Sequence, residues 1–217
     1  MKKENKKNFY PAVILLVSFI LWTILVRFVD VKSIGPQNSA VGFATLNEFF
    51  HRYTGVNMTL YTITDWLGLV PFFFAIGFGI LGLIQWIKRK NLLKVDFSIL
   101  ILGGFYIAVI SLYLLFETVV INYRPILING YLEASYPSST TMLVMCVIPT
   151  AVMQFEQRIK NKFLNLFVEY ILISFTLFMV IARLISGVHW LTDIIGGILI
   201  SAGLVMLYRS ILKTNIT

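Results

Sequence analysis

Six long runs of apolar residues, separated by short polar segments, decide what this chain can fold into. Each run has the roughly 17–25 residues that a helix needs to cross the hydrocarbon core of a bilayer. The runs span residues 9–29, 66–87, 97–116, 139–155, 163–185 and 190–208. Because 58% of the 217 residues are hydrophobic and only 13% are charged, no separate soluble domain is expected. The sequence therefore predicts an all-α fold, a six-span transmembrane helical bundle that forms one integral membrane domain over residues 1–217.

The basic residues indicate how the bundle is oriented. Most of the 18 Lys and Arg residues lie in clusters on the same side as the N-terminus, such as residues 88–90 and 158–162. Because cytoplasmic loops carry the excess of Lys and Arg, both termini are predicted to be cytoplasmic. The same placement explains the net charge of +8 without a nucleic-acid partner. The run at 9–29 resembles a signal peptide but is too long and lacks a small-residue cleavage site. We therefore expect a retained first span in a multi-pass protein of the cell membrane.

Arg183, His189 and Asp193 lie where the fifth run ends and the sixth begins, on the predicted outer side. Ionisable residues are costly at such a boundary, so a functional role is the first interpretation. His189 and Asp193 are four residues apart, so on a helix they would share a face and the carboxylate would orient the imidazole. Arg183 adds a guanidinium that can bind phosphate oxygens in a bidentate manner. This combination suits a histidine nucleophile that attacks a phosphate ester. A structural salt-bridge cluster at the end of a span is the alternative.

Two further segments complete a pattern with this one. Glu117-x6-Arg124-Pro125 follows the third run, and Pro137-Ser138-Ser139-Thr140 lies at the start of the fourth. Together with Arg183-x5-His189-x3-Asp193, they resemble the three motifs of the type 2 phosphatidic acid phosphatase superfamily in order, spacing and placement. The resemblance covers the chain from about residue 60 to about residue 205.

The resemblance implies a membrane lipid phosphatase. No cofactor is expected, and no metal, because the sequence has no Asp/Glu/His cluster with ligand spacing beyond this site. His189 would attack phosphorus to form a phosphohistidine, and Asp193 would hold its tautomer. The phosphate would be bound by Arg124 and Arg183 and by the start of the fourth span, at Ser138, Ser139 and Thr140. The pocket would open at the outer face to a membrane lipid such as an isoprenoid diphosphate, phosphatidic acid or phosphatidylglycerol phosphate.

Four positions depart from the motifs of that family. Ala182 stands where the third motif begins with Ser, and Ser139 stands where the second motif has Gly. The other two bear on catalysis. Glu117 stands where the family has Lys, and Thr140 stands where it has the His that protonates the leaving oxygen. A general acid contributes about 10²–10⁴ in rate, so phosphate monoesters that leave as alkoxides are expected to turn over poorly. A polyprenyl diphosphate releases a phosphate monoester, which can leave as an anion. The alternative function is a catalytically silent protein that binds, senses or translocates a phosphorylated lipid.

His51 is the only other histidine, so it is the one alternative His acid, and a headgroup contact is its plainer role. It lies in the long connection at about residues 30–65, where the apolar spacing between Asn38 and Tyr53 predicts a short helix in the membrane interface. Asp65 is expected to cap the second span, and a place in the lining of the pocket on the outer side is the alternative. The pairs Gly103–Gly104 and Gly196–Gly197 are expected to mark close helix contacts.

Overall fold

The structure, a computed structural model, describes residues 3–214, with side chains described for residues 9–213. Within this part of the chain eight α-helices form, and extended pairing is limited to isolated bridges. The helices are α1 (Lys3–Phe28), α2 (Ala44–Thr54), α3 (Met58–Leu67), α4 (Val70–Arg89), α5 (Phe97–Thr118), α6 (Ser139–Glu156), α7 (Lys162–Ile185) and α8 (Leu191–Thr214). Short 3₁₀ turns lie at Pro36–Asn38 and Leu92–Lys94. The predicted all-α class is confirmed.

Among the described residues, six helical segments are long and apolar enough to cross a membrane. They are Phe9–Phe28, Met58–Arg89, Phe97–Thr118, Ser139–Glu156, Lys162–Ile185 and Leu191–Lys213. The predicted number of spans is therefore confirmed, and every span except the second begins close to its predicted residue.

The second span is longer than predicted, because it begins at Met58 rather than at residue 66. It consists of α3 and α4, which are separated by a break at residues 68–69. Hydroxyl residues in α3 lower its mean hydropathy, so the apolar run that predicts the second span does not include this helix. Their polarity is satisfied within the helix itself, since Thr64 Oγ1 donates to Leu60 O at 2.9 Å.

The helix cap expected from Asp65 is wrong. Asn57 caps α3 instead, and its side chain accepts a hydrogen bond from Leu60 N at 2.9 Å. Asp65 lies in the last turn of α3, and its carboxylate reaches α7.

Helices α6 and α8 form the centre of the bundle. About half of the most apolar stretch of each is buried, whereas the other four spans are mostly exposed. The pair Gly196–Gly197 permits the close contacts that were expected. A Cβ at Gly196 would lie 2.6 Å from the ring of Tyr136, and one at Gly197 would lie 3.1 Å from Thr141 of α6. The same expectation for Gly103–Gly104 is wrong, because a Cβ at either position would meet nothing within 4 Å.

The connection between α1 and α2 folds into a compact turn. Lys32 and Val41 pair as an isolated antiparallel bridge. The helix predicted within residues 38–53 is present, although it begins only at Ala44. Its buried residues include Asn47, and the helix packs on α8. Its location in a membrane interface stays a prediction.

The connection between α5 and α6, residues 119–138, folds back on itself as an irregular hairpin. Isolated bridges pair Tyr123 with Ala134 and Ile128 with Tyr131. Backbone hydrogen bonds also run from Arg124 N to Glu133 O and from Ser135 N to Asn122 O. The hairpin thereby brings four polar residues of the candidate site side by side: Asn122, Arg124, Glu133 and Ser135.

Candidate active site

His189 lies in the short connection between α7 and α8, where it is 3% exposed. The preceding Gly187 has φ +67°, and a Cβ there would lie 1.8 Å from Gly55 O, so only glycine fits this turn. Helix α8 begins after His189, at Leu191. The expectation that His189 and Asp193 share one helical face is therefore wrong. Their nearest atoms, Nδ1 and Oδ2, are 3.9 Å apart, which is too far for a direct hydrogen bond.

Ser135 fills the gap between the histidine and the aspartate. Its Oγ lies 3.0 Å from His189 Nδ1 and donates to Asp193 Oδ2 at 2.5 Å. All three side chains are buried. No motif in the sequence indicated Ser135, because it lies 54 residues from His189 and its approach depends on the fold of the hairpin.

Arg124 contacts the opposite nitrogen of the same imidazole. Its Nη1 lies 3.2 Å from His189 Nε2, and its Nε lies 3.0 Å from a carboxylate oxygen of Glu133. A guanidinium can only donate, so Nε2 is an acceptor and the proton of the neutral ring is on Nδ1. The chain of donors then runs from Arg124 to His189, from His189 to Ser135, and from Ser135 to Asp193.

The surroundings of His189 keep its imidazole neutral. Burial lowers the pKa of His189 well below its ordinary value of 6.5, and the positive charges of Arg124 and Arg183 lower it further. A neutral imidazole with an unprotonated Nε2 is the form that can act as a nucleophile.

A network of buried amides fixes the carboxylate of Asp193. Asn122 Nδ2 donates to Asp193 Oδ1 at 3.2 Å, and Trp190 N donates to Asp193 Oδ2 at 2.9 Å. Asn47 of α2 makes two hydrogen bonds with Thr192, the residue before Asp193. Its Oδ1 accepts from Thr192 N, and its Nδ2 donates to Thr192 Oγ1. Sequence reasoning missed both asparagines, which carry no periodic or motif signal.

Arg183 is 1% exposed in the last turn of α7 and is held by α3. Its Nη1 donates to Thr64 Oγ1 at 3.0 Å, and its Nη2 lies 3.4 Å from Asp65 Oδ1. The guanidinium carbon also lies 4.7 Å from the ring centre of Tyr61. These contacts orient Arg183, and they come from the part of the second span that the sequence did not predict.

The second-motif segment starts α6. The sequence suggested that the backbone N–H of Ser138 is free to bind a ligand. In the structure this N–H donates to Asp193 O at 3.0 Å and is not free. Ser139 and Thr140 are the first residues of α6 and are half-buried. Their N–H groups belong to the first turn of a helix, which has no intrahelical acceptors and carries partial positive charge.

Glu117 and His51 have different surroundings. Glu117 is exposed in the last turn of α5 and lines a small pocket together with Ser135 and Ser139. The carboxylate that pairs with Arg124 is that of Glu133. His51 is half-buried, and its Nε2 lies 3.1 Å from Gly187 O, so this nitrogen carries a proton and donates it to the backbone.

The fold and the sequence were both compared with known proteins. A solved structure of similar fold is that of a transmembrane PAP2-type phosphatidylglycerolphosphate phosphatase from Bacillus subtilis. The TM-score is 0.63 at 18% sequence identity, and the match covers 95% of this chain and 98% of that one. None of the curated proteins matches the chain. The family profile of the PAP2 superfamily matches residues 100–217, which is more than half of the chain, and the protein therefore belongs to the PAP2 superfamily.

Proposed function

We propose that the protein is a lipid phosphatase that removes phosphate from a membrane lipid through a phosphohistidine at His189. The observation that carries the proposal is the hydrogen-bond chain that leaves Nε2 of a buried, neutral imidazole unprotonated beside Arg124. Membership of the PAP2 superfamily supports the general class of reaction.

In the proposed first step, the lone pair of His189 Nε2 attacks phosphorus in line with the leaving oxygen. The N–P bond forms as the P–O bond breaks, and the electron pair of that bond leaves on the oxygen. Arg124 and Arg183 would stabilise the negative charge of the transferring phosphoryl group. Water then attacks phosphorus, which breaks the N–P bond and returns the lone pair to Nε2.

The phosphoryl group has a suitable set of donors in this region. The start of α6, at Ser139 and Thr140, offers N–H groups of a helix N-terminus. Three buried donor groups of the proposed phosphate-binding residues have no hydrogen-bond partner among the described residues: Ser138 Oγ, Arg124 Nε and Arg183 Nε. Buried polar groups are ordinarily paired, so these atoms suit a role in binding an anion.

The proposed substrate class is a prenyl diphosphate rather than a phosphate monoester. Thr140 cannot protonate a leaving oxygen near neutral pH, and the proton on His51 Nε2 is already directed at Gly187 O. A diphosphate needs no such proton, because its leaving group is a stable phosphate monoester anion. We further propose that the site opens on the outer face, because the basic clusters at residues 88–90 and 158–162 lie at the opposite helix ends.

The test is phosphate release by the purified protein in detergent, with farnesyl diphosphate and phosphatidic acid measured side by side. The covalent step is tested with farnesyl diphosphate that carries a radioactive terminal phosphate, quenched in alkali because phosphohistidine is labile in acid. The chain offers a matched control, since it has only two histidines. We expect labelled protein and phosphate release with His51→Gln, and neither with His189→Ala.

Label that persists in His189→Ala would contradict the mechanism. Faster phosphate release from phosphatidic acid than from farnesyl diphosphate would contradict the substrate class. If neither lipid is hydrolysed but both bind, the protein is a silent binder of phosphorylated lipids.

A further inference from the structure

We propose that Ser135 is the positioning residue through which Asp193 orients and polarises the His189 imidazole, in place of a direct bond between the two. This inference rests on the proposed function, because it assigns Ser135 a role in the attack by His189.

The geometry leaves a single consistent direction for each hydrogen bond. Asp193 Oδ2 accepts from Ser135 Oγ at 2.5 Å, which places the hydroxyl proton between these two oxygens. A lone pair of Oγ is then turned to His189 Nδ1, 3.0 Å away. Because Arg124 donates to Nε2, the ring proton is on Nδ1 and points at that lone pair.

The carboxylate of Asp193 is not placed to replace Ser135 as the partner of the imidazole. The carboxylate of Asp193 is held by Asn122 Nδ2 and by Trp190 N, so a move to the imidazole would break these hydrogen bonds. Ser135 is itself fixed, because its backbone N–H donates to Asn122 O at 2.9 Å and the residue is 2% exposed. The bridge is therefore built into the α5–α6 hairpin and the start of α8.

The bridge has a defined chemical use in the proposed reaction. When Nε2 forms the bond to phosphorus, the imidazole gains positive charge, and the Nδ1–H becomes a stronger donor. A hydroxyl that donates to a carboxylate is a stronger acceptor than a free hydroxyl. Through Ser135, the negative charge of Asp193 thus stabilises the positive charge that develops on the imidazole during attack. The same hydrogen bond holds the ring in the reactive tautomer.

Steady-state kinetics with farnesyl diphosphate test the role in catalysis. For Ser135→Ala we expect kcat to fall about 10- to 100-fold with KM nearly unchanged. The reason is that the hydrogen bond removed by this substitution stabilises the charged transition state more than the bound substrate. Ser135→Thr, which keeps the hydroxyl, should recover most of kcat. The matched control is Ser201→Ala, because Ser201 is also buried and donates a hydrogen bond to Met142 O, away from the site.

Proton NMR of protein with isotope-labelled histidine tests the bond itself, without any substrate. The chain has two histidines, so His51→Gln assigns the signals. We expect a solvent-protected Nδ1–H resonance for His189 that is lost in Ser135→Ala and kept in Ser201→Ala. A resonance that survives in Ser135→Ala, or a kcat that survives, would overturn the inference. If the native protein hydrolyses neither lipid, the proposed function fails, and the resonance alone decides whether the bridge exists.

Discussion

Arg124 Nη1 donates a hydrogen bond to His189 Nε2 across 3.2 Å, so the proposed nucleophilic atom is already paired with the residue that is proposed to bind phosphate. Attack requires that this hydrogen bond be exchanged for one to a phosphoryl oxygen. Glu133 lies 3.0 Å from Arg124 Nε, and we expect this ion pair to keep the guanidinium beside the ring during that exchange.

Arg124→Lys should lower kcat about 10²- to 10³-fold, as is typical when a donor to transition-state charge is removed. Lysine keeps the charge but cannot hold a carboxylate and a phosphoryl oxygen with one planar group. The matched control is Arg52→Lys, since Arg52 is exposed and pairs with Glu48 on α2. Phosphate release measured at saturating farnesyl diphosphate provides kcat. Equal rates for Arg124→Lys and the control would contradict the role of the guanidinium.

The acid limb of kcat/KM should lie below pH 6.5. The proposed mechanism requires a neutral His189 imidazole, and burial together with Arg124 and Arg183 lowers its pKa well below that value. Activity is therefore retained as the pH falls past 6.5 and is lost only when it passes the folded-state pKa. The measurement is a pH–rate profile with farnesyl diphosphate. An acid limb at or above pH 6.5 would mean that the imidazole is less buried, or farther from the positive charges of Arg124 and Arg183, than in this structure.

Stability should decrease when the pH falls below about 6.5. Burial lowers the pKa of both His51 and His189 in the folded state, so these two imidazoles bind more protons in the unfolded chain in this range, and their contribution to stability falls in acid. The carboxylates of Asp30 and Asp96 have pKa values below 3.8 and do not titrate there.

The check is the Tm in detergent between about pH 7.5 and about pH 5.5. His51→Gln, whose amide can still donate to Gly187 O, should reduce the fall in Tm. An equal fall in this variant would exclude a contribution from His51.

Gly187→Ala should destabilise the protein and abolish phosphate release. The residue has φ +67°, which costs a non-glycine residue about 1–2 kcal/mol, and the added Cβ would lie 1.8 Å from Gly55 O. Gly103→Ala is the matched control, because Gly103 lies within α5 and a Cβ there meets nothing within 4 Å. This control should raise Tm slightly, as alanine is the better helix former. A Gly187→Ala variant with unchanged Tm would contradict the close packing of this turn.

Thr140→His should raise the turnover of phosphatidic acid more than that of farnesyl diphosphate. A histidine at the start of α6 would restore a general acid, and only the alkoxide leaving group needs one. The relevant quantity is the ratio of the two kcat values before and after the substitution. Equal gains for both lipids would count against the leaving-group argument.

The six helical spans were predictable because apolar runs of sufficient length can be satisfied only as helices in a bilayer. The span at residues 97–116 agrees with α5. His189 and Asp193 lie together at one end of the bundle, joined through Ser135, whereas the guanidinium of Arg183 contacts α3. The start of the second span was missed because Thr64 and its neighbours satisfy their hydroxyls on helix carbonyls, which hydropathy does not register.

The detailed chemistry of the site was less predictable. Ser135, Asn122 and Glu133 act through contacts that the irregular hairpin of residues 119–138 creates, and neither spacing nor composition marks them. The expectation that His189 and Asp193 share one helical face was wrong because α8 begins two residues after the histidine. Side chains four residues apart are neighbours only where the chain between them is helical.

The packing of α1 against α8 has a consequence for how the protein is made. Trp22 of α1 donates to Thr192 O beside the site, and Leu16 packs against Gly203 of α8. Because synthesis proceeds from the N-terminus, α1 enters the membrane long before its partner exists, and its contact face is covered by lipid in the meantime. Asp193 also lies on α8, so the carboxylate that is bridged to His189 enters only with this helix. Under the proposed mechanism, we expect a chain in which α8 is not yet inserted to lack a complete site for lipid hydrolysis.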